Sequence, residues 1–254
     1  MTYKIQKYGW LPDLPDHRDY IYSAPIEKLQ KLPSQVDLRP TCPPVYDQGE
    51  LGSCTANALA GAIQLDEIKQ KLSPVFTPSR LFIYFNERSI EGTVNSDSGA
   101  MIRDGVKSVV KQGVCSEDLW PYNIANFREQ PPRNCYQAAT QHTAVLYKRL
   151  VRDLNQMKAC LATGYPFVFG FTVYESFESP TVASTGHAPM PAPGEAVLGG
   201  HAVLAVGYDD AKQWFIVRNS WGTKWGMSGY FTLPYAYLTQ STLSSDFWTI
   251  ETVR

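Results

Sequence analysis

Residues 48–54 read QGELGSC and run directly into TANALAGAIQLDEIKQK at 55–71. The second stretch predicts a helix, with Ala56, Leu59, Ala60, Ile63 and Ile68 at helical spacing. Cys54 therefore stands at the mouth of a helix. A helix N-terminus carries partial positive charge and unpaired N–H groups, which favour thiolate over thiol. Gly52 and Ser53 lead into the first turn without bulk, so a substrate backbone can approach closely.

Working outward, PSRLFIYFNERSIEG (78–92) predicts a second helix ending by Gly92, and SGAMIRDGVKSVVKQGV (98–114) a third stopping at Gly113. LNQMKACLATG (154–164) predicts a fourth, with Cys160 as a buried helix thiol. Strands dominate afterwards: YPFVFGFTVY (165–174), HAVLAVGY (201–208), QWFIVRNSW (213–221) and SGYFTLPY (228–235). Residues 178–200 are rich in Pro, Gly and small side chains and predict a long loop. Helices first and strands second suit an α+β protein whose two halves meet in a cleft. The division is 1–35 as an N-terminal extension, 36–150 as a helical half carrying Cys54, and 151–254 as a β-rich half.

Composition narrows the function. The 254 residues are 44% apolar and carry a net charge of −1, which argues against a nucleic-acid or anionic-membrane surface. No apolar run approaches the roughly 20 residues of a membrane span. The start, MTYKIQKYGWLPDLPDHRDY, has no apolar stretch of a secretory leader, so the expectation is a cytoplasmic protein or one exported by a route not encoded in this chain. Five cysteines leave one thiol unpaired in a monomer, and none are spaced as CxxC, so neither a metal nor another cofactor is expected. Cys42, Cys115 and Cys135 lie in loop-like stretches; they contain one disulfide or are inert thiols.

Two more stretches matter: GGHAVLAVGYDD, with His201, and FIVRNSWGTKWGMSGYF, with Asn219. A turn signal at Asp209-Asp210-Ala211 lies midway between them. A hairpin centred on Asp210 would set His201 opposite Asn219, with both side chains on one face about 5 Å apart. The amide oxygen would then fix one imidazole nitrogen and leave the other for Cys54. A one-residue slip would spoil that register. Taken singly, each residue has a structural reading: a core cysteine, a strand histidine, a capping asparagine, a loop glutamine.

Together, Gln48, Cys54, His201 and Asn219 in that chain order resemble the papain family of cysteine peptidases, from about residue 34 to the end. The resemblance implies a two-part papain-like fold and a cysteine-type endopeptidase working through a thioester. Cys54 is then the nucleophile, His201 the proton shuttle, Asn219 its orienter, and Gln48 with the Cys54 amide the oxyanion hole. It also implies substrate binding by Gly52, Ser53, Gly99 (in NSDSGAMIRDG), Gly200 and Trp221, the last shielding the Asn–His bond. The chain departs from the family at Leu51, where relatives carry a disulfide-bonded Cys, at Thr55, where they carry Trp, and at Gly200, where many carry Asp. Two other classes stay open: an acyl-transfer enzyme such as a peptide ligase or transglutaminase-like protein, and a non-catalytic peptide-binding relative. The expected partners are peptide or protein substrates, with no nucleic acid or membrane, and the chain is expected to be a monomer.

The N-terminal segment has two readings. Residues 1–44 hold seven of the eighteen prolines and should run extended over a surface. Packed by Tyr8, Trp10, Tyr20 and Tyr22, the segment is a structural strap; lying in the cleft, it is a pro-segment that blocks Cys54.

Overall fold

The long helix beginning at Cys54 is the axis of the structure, a computed structural model that describes residues 8–253. In chain order the elements are β1 (Trp10–Leu11), α1 (Ile26–Leu29), β2 (Gln35–Asp37), α2 (Cys54–Gln70), α3 (Arg80–Glu91), β3 (Ala100–Met101), α4 (Ile102–Gln112), α5 (Arg133–Ala139), β4 (Ala144–Arg149), α6 (Leu154–Ala162), β5 (Phe167–Tyr174), α7 (Pro180–Thr185), β6 (Val197–Asp209), β7 (Trp214–Arg218), β8 (Tyr230–Pro234), α8 (Tyr235–Thr239) and β9 (Ser244–Val253). Every residue of α2 from Cys54 to Glu67 is buried, so the helix is covered on all sides and its small Ala and Gly side chains permit close packing. It ends at Lys71, which adopts the left-handed conformation.

α3 and α4 form beside α2 for legible reasons. The Ser79 hydroxyl accepts from the Phe82 amide and caps α3, and Gly92 closes it in the left-handed conformation. Gly113 ends α4 as expected. On the other side of α2 stands an antiparallel sheet in the order β4-β9-β5-β6-β7-β8, with β2 added against β6. Alternate residues of β5 face opposite ways. Phe167, Phe169 and Phe171 enter an aromatic core with Phe215, Phe231 and Trp225, while Val168 faces α2 with Leu204 and Trp248. Both faces of the central strands are thus buried, and the fold is the expected α+β arrangement.

Two expectations need correction. The β6–β7 hairpin is not centred on Asp210. Asp209 pairs with Trp214 and Leu204 with Arg218, with a register shift between Ala205 and Gly207. The turn is four residues long because the Asp209 carboxylate accepts the amides of Ala211 and Lys212, and Gln213 takes a positive φ of 57°. Residues 178–200 are not all loop either: they contain α7, capped by Ser179, and the start of β6. Cys42, Cys54, Cys115, Cys135 and Cys160 are all free thiols.

Candidate active site

Cys54 is the first residue of α2 and is fully buried. Its sulfur accepts a hydrogen bond from the Ala202 amide at 3.4 Å, and the amides of Gly9 and Thr55 favour its ionised form. The loop before it is held from below. Tyr122 donates to the Gln48 carbonyl at 2.9 Å, and its hydroxyl lies 2.5 Å from Ser53 Oγ. Ser53 is therefore turned into the protein, away from the cleft that the sequence assigned it to.

His201 stands in β6, fully buried, next to Ala202. Its Nε2 is 2.8 Å from Asn219 Oδ1, and its Nδ1 has no hydrogen-bond partner among the described residues. The pairing expected from the hairpin is made although the register differs, because Asn219 lies one residue beyond the end of β7 and is free of the ladder. Trp221 stacks on the imidazole with ring centroids 5.0 Å apart, which keeps water from the Asn–His bond. Ser220, which the sequence reading passed over, ties the parts together. Its hydroxyl donates to Gln48 Oε1 at 2.6 Å, its amide to Asn219 Oδ1 at 2.8 Å, and its carbonyl accepts from the Gln48 amide. The Gln48 side-chain nitrogen donates to the Leu51 carbonyl at 2.9 Å. Its position in the RNSWG stretch is the signal that was available for Ser220.

The N-terminal segment runs over this group. β1 pairs parallel with β3, and the Ala100 amide donates to the Gly9 carbonyl at 2.8 Å. Gly9 is sandwiched between backbone walls: a Cβ there would lie 1.8 Å from the Gly52 carbonyl oxygen, and one on Gly99 would lie 2.2 Å from the Gly9 oxygen. Gly99 has φ +74°, a conformation suited to glycine. On one side of Gly9, Tyr8 meets the His201 ring edge-on at 6.1 Å and donates to Glu178. On the other, the Trp10 indole lies over Gly170 and Gly200, and its N–H donates to Asp246 at 3.2 Å. Of the expected substrate-binding residues, Gly52, Gly99 and Gly200 line this channel, whereas Trp221 lies behind the imidazole.

A family model described as papain family cysteine protease matches residues 32–246. The chain belongs to the papain family of cysteine proteases. It is 41% identical, over 98% of its length and 88% of the relative's, to the peptidase C1-like protein L477 of Acanthamoeba polyphaga mimivirus. The crystal structure of xylellain, a cysteine protease from Xylella fastidiosa, superposes with a TM-score of 0.93 at 48% identity, covering 99% of this chain and 98% of that one. Cathepsin K of Gallus gallus is 29% identical over 80% of this chain and 59% of its own length. The protein is accordingly a cysteine peptidase acting on peptide or protein substrates. No described helix is long and apolar enough to cross a membrane.

Burial pushes the Cys54 thiol up to about 12, against the pull of the Ala202, Gly9 and Thr55 amides. Burial also pushes His201 down to about 4, with its Asn219 bond working the other way. Covered by Tyr8 and Gly9, the pair is pushed toward neutral thiol and neutral imidazole, because desolvation outweighs the about 0.3–1 kcal/mol that a helix N-terminus contributes.

Proposed function

We propose that Cys54 is the nucleophile, His201 the proton carrier, Asn219 its orienter and Gln48 a donor to the carbonyl oxygen. The segment around Gly9 is then a tethered blocker of the enzyme's own cleft. One hydrogen of the Gln48 amide is held by Leu51; the second is assigned to the substrate oxygen, together with the Cys54 amide. The observation that supports the blocker reading best is the position of Gly9, pressed against the Gly52 carbonyl with its own carbonyl on the Ala100 amide, as an extended substrate would engage the same walls. The working division is residues 1–35 as extension, 36–150 with the nucleophile and 151–254 with the histidine and asparagine.

Catalysis in this reading begins when Tyr8–Trp10 leave. Water and substrate dipoles then reach the pair, and proton transfer from Sγ to Nδ1 gives thiolate and imidazolium. The thiolate attacks the carbonyl carbon, the imidazolium protonates the leaving amine, and water releases the acyl group from the thioester. Treatment of the full-length chain with an epoxide-bearing peptide analogue tests the assignment. Peptide mapping should find one adduct, on Cys54, formed slowly. An adduct on Cys42, Cys115, Cys135 or Cys160 would reject it.

The pH dependence of uncovering should reflect two groups of opposite sign. His201 is neutral when covered, so cover is favoured above the ordinary value of 6.5 and weakens as pH falls toward about 4. Asp13 is pushed from 3.8 to about 6 by burial and by Asp246 beside it, while the Arg103 amide and charge and the Trp248 N–H pull it down. A carboxyl raised on covering favours cover at low pH and opposes it as pH rises through about 6. The two effects offset one another between pH 4 and 6. Release of the segment, read as the rate of limited proteolysis within residues 8–11 relative to an unfolded control, should therefore change little between pH 4 and 6, and a steep one-way dependence across that range would contradict this account.

A further inference from the structure

The two backbone walls that flank Cys54 belong to segments far apart in the chain, and no disulfide joins them, since all five cysteines are free. A polar clamp joins them instead. The Gly52 amide donates to both oxygens of Asp97, at 3.1 and 3.2 Å. The Tyr84 hydroxyl, from α3, donates to the same carboxylate. That hydroxyl in turn accepts from the Gly99 amide at 3.2 Å. The chain Gly52–Asp97–Tyr84–Gly99 therefore runs from one wall of the channel to the other.

The clamp is built on rigid supports. Tyr84 is fully buried, and the Arg88 guanidinium lies 4.0 Å over its ring. Arg88 also donates to the Val94 and Ser96 carbonyls at 2.9 and 3.0 Å, which fixes the turn that delivers Asp97. At the other end, Gly52 is two residues from Cys54, and its carbonyl faces Gly9. A shift of Asp97 would thus change the gap between the Gly52 carbonyl and the Gly99–Ala100 edge without touching the His201–Asn219 pair.

We propose that Asp97 is a positioning residue of the peptidase. Its carboxylate sets the width of the peptide channel beside Cys54 and so the affinity for an extended substrate backbone. It acts through Gly52 and Tyr84 and touches no reacting atom. A clamp of this kind fixes the spacing of the walls before substrate arrives, so its loss weakens binding of ground state and transition state alike.

The test is kinetic and uses the full-length chain carrying Gly9→Val, which the blocker reading expects to be open. Asp97→Ala should raise KM for a peptide substrate about tenfold with kcat changed less than about threefold, the pattern of lost uniform binding. Iodoacetamide, which needs the thiol and not the walls, should alkylate Cys54 at a rate within about twofold of the parent. Asp97→Asn keeps one acceptor oxygen and should fall between the two. Tyr84→Phe breaks the clamp at its middle while filling the same space, and should raise KM in the same direction if Asp97→Ala fails to fold. An unchanged KM in Asp97→Ala and Tyr84→Phe would overturn the proposal. So would an iodoacetamide rate that falls together with peptide turnover, since that places the effect on the thiol. If Gly9→Val shows no rise in activity, the blocker reading fails alone. The same KM comparison in the wild-type background then still decides the clamp.

Discussion

Cys54→Ala is expected to abolish peptide hydrolysis, while Cys160→Ala keeps most of it. The contrast follows from what surrounds each thiol. Both are fully buried, and both are pushed up to about 12 by that burial, so neither burial nor acidity separates them in the covered chain. Their neighbours do. Cys160 lies in α6 and its sulfur donates to the Tyr165 carbonyl at 3.5 Å, with no histidine among its hydrogen-bond partners. Cys54 lies at the helix mouth beside His201, whose Nδ1 has no partner among the described residues and whose Nε2 is held by Asn219. The segment around Gly9 lies over it. Without the sulfur there is no thioester, and the remaining oxygen-stabilising groups act on water alone. Turnover of a peptide substrate by the purified variants, with His201→Ala as a second loss control, is the measurement. Residual activity in Cys54→Ala above a few per cent of wild type would move the nucleophile elsewhere.

The sequence made part of this legible because the chemistry is concentrated in short motifs. QGELGSC and RNSWG each carry two functional residues within seven positions, and the helix start at Cys54 is announced by the change from Gly and Ser to an Ala-rich run. What failed was geometry that depends on counting. The expected mirror about Asp210 missed the four-residue turn and the register shift near Val206, since one inserted residue moves a whole ladder. The strand β9 escaped notice because SSDFWTIETV alternates over only four residues, Trp248 to Glu251, behind a polar start; it lies inside the sheet between β4 and β5, where Thr249 donates to the Pro166 carbonyl. Asp97 was unreadable for another reason. Its partner Gly52 is 45 residues away, and a single carboxylate in a polar turn has no local signature. The N-terminal strap fell between its two readings. Tyr22 and Ala24 pack in the core and pair with Arg149 and Gln156, whereas Tyr8–Trp10 run past Cys54 and His201.

That double character decides how blocking has to be tested. Deleting everything before Ser34 would also remove Trp10, Tyr22, Ala24 and the Arg103–Asp19 ion pair at 2.5 Å, so a loss of folding would hide any gain in activity. A point change at Gly9 avoids this. The ideal Cβ at that position overlaps the Gly52 carbonyl oxygen at 1.8 Å, its carbon at 2.4 Å and its Cα at 2.9 Å, all backbone atoms that cannot swing aside. Gly9→Val adds two methyls to that overlap, so residues 8–11 must leave the channel. The anchors further along, Tyr22 on Arg149 and Ala24 on Gln156, remain to hold the rest of the strap. A tethered segment has an effective concentration in the millimolar range, so a docking affinity of about ten micromolar would keep the cleft closed roughly 99% of the time. Ejecting it should then raise kcat/KM for a peptide substrate about 100-fold, with melting temperature lowered only slightly. The same variant should show Cys54 alkylation with a thiol pKa well below the about 12 of the covered state, because the desolvation that raised it is relieved. An unchanged kcat/KM in a well-folded Gly9→Val chain would mean that Tyr8–Trp10 leave the cleft freely in solution, and the segment would then be a structural strap alone.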